Sequence, residues 1–268
     1  MVEQAKEKAQ DPGMNLRSIS FARWAPNWLD LLVVALSWVL VVAALRTATT
    51  VVTAERGLLY FVVYAIVGAT VIGLGVPLVW MVFVRRRPIA DLGLTTRRWQ
   101  LSLALQAVLA VVLYLLAYRG EVVEVPAVAQ LLPLVALALA IGFFEAVFWR
   151  GWVLLMLVES FGIVPAVLLG SLLYAAYHIG YGMDLGEMVF LFFIGIMFSV
   201  VFLITRSVLI LWPVFQPMGQ LVTLIQDQLT LPFLATVGFG EVLIVMVVLA
   251  YFAGRYQRKR SGAPRRVV

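Results

Sequence analysis

The sequence predicts an all-α integral membrane protein of about eight transmembrane helices. Composition is the first reason: of 268 residues, 63% are hydrophobic and 13% charged, with mean hydropathy +1.02, whereas a soluble domain is about half apolar and a quarter charged. Long apolar runs are the second. LDLLVVALSWVLVVAAL (29–45) and LLYFVVYAIVGATVIGLGVPLVWMVFV (58–84) reach the roughly 20 residues that carry a helix across about 30 Å of hydrocarbon. Third, backbone polar groups in lipid must be satisfied within their own segment, which selects helices for such runs.

In chain order the spans fall at 27–46, 58–84, 100–118, 128–157, 163–181, 186–204, 208–225 and 238–254. Residues 1–26 form an N-terminal tail, 27–254 a single transmembrane domain and 255–268 a basic C-terminal tail. The first 26 residues are longer and more mixed in charge than the basic leader of a signal peptide, so the first span is expected to be retained. GATVIGLG (68–75) in the second span offers a small-residue seam for close helix contact. The seventh, SVLILWPVFQPMGQL (207–221), is loosened by Pro213 and Pro217. Trp24, Trp28 and Trp99 near span ends read as interfacial anchors.

An even number of spans puts both termini on one side. With them fall the tail residues Lys6, Lys8, Arg17 and Arg23, the arginines of RRRPIADLGLTTRR (85–98), Arg206 and the tail RYQRKRSGAPRR. Only Arg46, Arg56 and Arg119 face the other way, and Arg150 lies inside a span. The positive-inside rule makes the basic side cytoplasmic, and a prokaryotic plasma membrane is the expected location. The same rim, set against anionic membrane lipids, accounts for a net charge of +6. No aromatic-interleaved basic stripe calls for nucleic acid. With no cysteine and one histidine, His178, the chain has neither thiol chemistry nor a paired-histidine metal site, so no cofactor or metal is expected.

Three spans carry polar side chains that need a reason to be there. FFEAVFWRGW (143–152) sets Glu145 and Arg150 in apolar surroundings, where a charge costs about 2.5–3.5 kcal/mol. In a regular helix, five positions separate two side chains by about 140°, so Arg150 is expected to snorkel to the headgroups and leave Glu145 deeper. SLLYAAYHIGYG (171–182) puts His178 on a semi-polar face with Ser171, Tyr174, Ala175 and Tyr181. Gln216 and Gln220 lie one turn apart in the seventh span. If these helices converge on one polar cavity, a carboxylate and an imidazole can activate a water, and the amides can face a developing oxyanion.

EAVFWRG (145–151) resembles the E-E-x-x-x-R-G motif of the CAAX protease and bacteriocin-processing family of intramembrane endopeptidases, and YAAYH (174–178) resembles its F-x-x-x-H motif. The loop at 85–98 and FFIGIMFSVVFLITRSVLILWP (192–213) look like the flanking parts of the same core, so the likeness spans about 85–221. It implies eight helices around a cavity, with Glu145 as base, His178 as its partner, Gln216 and Gln220 in the third motif, and Arg150 and Tyr174 in support. Ala146 stands where the motif has a second glutamate, and Gln216 and Gln220 occupy a motif that normally contains histidine. A glutamine keeps an N–H donor but cannot titrate near neutrality. Two functions therefore stand side by side. One is a metal-independent endopeptidase acting on a peptide or lipidated protein; the other is a catalytically silent scaffold or chaperone for a partner membrane protein. A small-molecule transporter would use the broken seventh span but lacks internal repeats.

Overall fold

The computed structural model describes residues 21–52, 57–117 and 124–260. The tail residues 1–20 and 261–268, with Arg56 and Arg119, lie outside the described residues. All regular structure among the described residues is helical. We label the elements α1 (Trp28–Val52), α2 (Leu58–Val84), α3 (Trp99–Ala117), α4 (Val128–Phe161), α5 (Ile163–Tyr181), α6 (Leu185–Thr205), α7 (Phe215–Gln226) and α8 (Ala235–Arg260).

Among the described residues six of these, against the eight expected, are long and apolar enough to cross a membrane: α1, α2, α4, α5, α6 and α8. The third expected span is a helix over Trp99–Ala117, with residues 118–123 beyond it outside the described residues. The seventh is a 3₁₀ turn, Val208–Ile210, followed by the 12-residue α7, about 18 Å long. Proline explains the break. Pro213 stops one helix from running through the segment, while Pro217 falls in the first turn of α7, where its missing N–H costs nothing.

One side chain makes the break tolerable. Gln106 of α3, 0% exposed, accepts from the backbone N–H groups of Val214 (2.8 Å) and Phe215 (3.1 Å) and donates to the Leu209 carbonyl (3.1 Å). Backbone groups that a continuous helix would satisfy internally are thus satisfied from the side. Gln106→Leu is expected to strand two N–H donors, the buried one of Phe215 and the partly buried one of Val214, and lower stability by about 2–3 kcal/mol, read as a fall in the thermal unfolding midpoint in detergent.

Hydrogen bonds show which ends lie together. Arg23 and Ala25 donate backbone bonds to Phe161 and Ser160 at the end of α4. Arg87 pairs with Asp91 and with Glu159, and Gln257 near the end of α8 bonds the backbone of Ile89 and Arg87. Val208 donates to the Gly93 carbonyl at 3.0 Å, and Gly93 turns the chain with φ +77°, a conformation glycine adopts freely. The loop at 85–98, the start and finish of the described chain and the 208 turn therefore share one end of the bundle. Thr49 and Gly180, and Tyr64 and Tyr181, are joined at the opposite half.

At the centre stands α4, whose residues from 140 to 158 are all buried. α8 and α7 pack on its first half and α5 on its second, while α6 packs mainly on α5. The glycine seam of α2 works at close range: a Cβ on Gly73 would lie 2.1 Å from the Phe144 ring.

Candidate active site

Directly after Glu145, α4 changes from α winding to π winding over Ala146–Val153. In an i→i+5 pattern, residues five apart come round to nearly the same side, so the 140° separation of a regular helix does not hold. Arg150 lies on the Glu145 side and, at 1% exposed, does not snorkel. The neighbouring segments leave it no path to the surface. Its guanidinium sits 4.5 Å from the Tyr174 ring centroid and 5.6 Å from that of Phe198, with Nη1 3.3 Å from Ser199 Oγ. Aromatic faces and a hydroxyl are its direct contacts, since among the described residues no ion pair links Arg150 to a carboxylate. Nη2 has no hydrogen-bond partner.

Glu145, 4% exposed, accepts from three donors: Tyr177 Oη, Gln216 Nε2 and, at 3.5 Å, Tyr174 Oη. A buried carboxylate is tolerated only with such donors. Tyr174 thus touches both charged residues, its hydroxyl toward Glu145 and its face toward Arg150.

His178, 6% exposed, lies where α5 tightens into a final 3₁₀ turn. Its Nδ1 is 2.9 Å from the Tyr174 carbonyl oxygen. Because a carbonyl only accepts, this contact assigns the proton to Nδ1 and leaves Nε2 as a base. The rings of Tyr174 and Tyr177 bracket the imidazole at centroid distances of 5.0 and 4.2 Å. No hydrogen bond or ion pair joins His178 to Glu145 among the described residues; what they share is a cavity.

That cavity has a volume of about 470 Å³. Its buried end is formed by Glu145, Tyr174, His178 and Gln216, and Gln220 lies further out along α7. From there it widens to exposed residues, among them Glu187 at the start of α6 and Asp227 at the end of α7. Most of the wall is apolar. The Oε1 atoms of Gln216 and Gln220 are buried without hydrogen-bond partners. Among the described residues, no three His, Asp or Glu side chains cluster to hold a metal ion.

Tyr177 and Ser199 were not foreseen from the sequence, although a signal for the first was present. Tyrosines 174, 177 and 181 recur at i, i+3 and i+7, and a buried phenol needs a partner for its hydroxyl. Tyr177→Phe is expected to leave Glu145 one donor short and cost about 1.5–3 kcal/mol, the range for a hydrogen bond to a charged group, measured by denaturation in detergent.

Residues 127–215 match the model of the Rce1-like family, type II CAAX prenyl endopeptidases. This is the family the motifs resemble. The matched stretch covers about a third of the chain, from the start of α4 to the first residue of α7. Glu145, Arg150, Tyr174 and His178 lie inside it, and Gln216 and Gln220 just beyond. No curated protein and no solved structure matches the chain.

Proposed function

From that match to a peptidase family, we propose that this integral membrane protein is an intramembrane endopeptidase that hydrolyses a peptide bond with a water activated by Glu145 and His178. The observation that carries the reading is the pairing of a buried, hydrogen-bonded carboxylate with an imidazole whose Nε2 is uncommitted, both lining one cavity. Water held there attacks the carbonyl carbon while its proton passes to the Glu145 carboxylate, with His178 Nε2 as the second acceptor. The same proton then goes to the amide nitrogen as the C–N bond breaks.

Gln216 already donates to Glu145, so its part is to orient the carboxylate. Tyr174, whose hydroxyl also donates to Glu145, shares that part, and oxyanion donation falls to the Gln220 amide. Arg150 acts through Tyr174, fixing the ring and adding positive potential. Membrane lipids surround the bundle, and the substrate is a peptide or a lipidated protein. The basic end of the bundle supports a cytoplasmic location for both termini in a prokaryotic plasma membrane.

One observation favours the silent-scaffold reading: both Glu145 oxygens already accept hydrogen bonds, and Ala146 supplies no second carboxylate. The two readings separate in one experiment. Purified wild type and Glu145→Gln are incubated with a panel of apolar and prenylated peptides. Cleavage by wild type alone supports the peptidase; silence of both, with a membrane protein co-purifying, supports the scaffold.

A further inference from the structure

The cavity is sided. Its mouth, at Gly182, Glu187 and Asp227, lies at the end of the bundle opposite the loop at 85–98. The basic end carries Arg23, the arginines of that loop, Arg206 and the close of α8, and its carboxylates Asp30, Asp91 and Glu159 are each paired with an arginine. At the far end the one basic side chain among the described residues is Arg46. Among the described residues Glu187 and Asp227 form no ion pair there, and no lysine or arginine lines the cavity.

Two helices shape the path inward. α6 and α7 meet where Phe198 and Phe215 touch, with ring centroids 5.3 Å apart. From that contact to the mouth, the cavity runs between Phe190 and Ile194 on α6 and Gly219 and Thr223 on α7. At its inner end lies Gln216, 5% exposed, whose buried Oε1 has no donor among the described residues. A buried acceptor of that kind costs free energy unless a ligand N–H reaches it.

We infer that the cavity takes a cationic, apolar peptide segment from the face opposite the basic loops, the extracytoplasmic face under the positive-inside rule. The segment's apolar stretch lies between α6 and α7, its backbone N–H meets Gln216 Oε1, and a lysine or arginine meets Glu187 and Asp227 at the mouth. What happens to the bound segment rests on the peptidase reading; where it binds does not.

The chain has no cysteine, so single introduced thiols report access cleanly. Thr223→Cys marks the mouth and Thr96→Cys the basic loop, both at exposed positions. In intact prokaryotic cells a membrane-impermeant maleimide is expected to label Thr223→Cys and not Thr96→Cys; the reverse pattern overturns the sidedness. In purified Thr223→Cys with Glu145 unchanged, so that Gln216 keeps its orientation, an apolar peptide with one lysine is expected to slow the initial rate of labelling about tenfold more than the same peptide with glutamate in its place. Equal protection by both peptides, or by neither, overturns the charge preference. None of these readouts requires turnover. Labelling as expected with no cleavage by wild type would sink the peptidase reading and leave this one standing.

Discussion

Glu145→Gln is expected to lower peptide cleavage by about 10²–10⁴-fold, the usual contribution of a positioned general base, while the protein stays folded. The reason for both halves lies in the contacts of the carboxylate. Glutamine cannot take a proton from water, but its Oε1 can still accept from Tyr177. Its NH₂ would meet the Gln216 amide, which can turn over and offer Oε1 instead of Nε2. Stability should therefore fall by no more than about 1–2 kcal/mol. Glu145→Ala is a poorer test, since it leaves the Tyr177 hydroxyl and the Gln216 amide unpaired in a buried site and confounds lost chemistry with lost packing. Cleavage rate and unfolding midpoint, measured on the same preparations, keep the two effects apart.

The largest structural effect is expected at Gly151. A Cβ there would lie 2.2 Å from the Leu92 carbonyl oxygen and 2.9 Å from its carbon, so the clash is with backbone. Leu92 ends a 3₁₀ turn held by Arg87, Asp91 and Glu159, by Gln257 on Ile89, and by the Gly93–Val208 bond. Neither partner can retreat. Gly151→Ala should cost about 3 kcal/mol, the upper end for overpacking, and should reduce cleavage by displacing Arg150 beside it. Gly240→Ala is the control. A Cβ at that helical position meets nothing within 4 Å, so it should be neutral or stabilising by up to about 1 kcal/mol. Thermal unfolding of both variants in one detergent measures the difference.

Gly151 also shows why part of the site was legible and part was not. The arginine–glycine pair resembles a family motif in the sequence, but its physical reason, the close approach of the 85–98 loop, joins segments some 60 residues apart and emerges only in three dimensions. That Glu145 needs polar partners could be read directly, because a charge in a span is costly without them; the central burial of α4 could not, since α6 is just as apolar and lies largely exposed. The break at Pro213 and Pro217 could be read too. Its consequence, a short α7 supported by Gln106, could not, since a lone glutamine does not name a partner 100 residues away. The π winding after Glu145 is the clearest failure. The angular argument from 3.6 residues per turn sent Arg150 toward the headgroups, whereas one change of winding puts it against Tyr174. Tyr177 had a readable spacing, yet its role as donor to Glu145 depends on how α5 rotates against α4.

Mass spectrometry of a cleaved peptide in ¹⁸O-labelled water asks whether this cavity activates water. Wild type should yield one new C-terminus carrying a single ¹⁸O and no peptide–protein adduct on rapid quenching, and Glu145→Gln should yield that product about 10²–10⁴-fold more slowly. A covalent adduct, or cleavage by Glu145→Gln at the wild-type rate, would remove Glu145 from the chemistry.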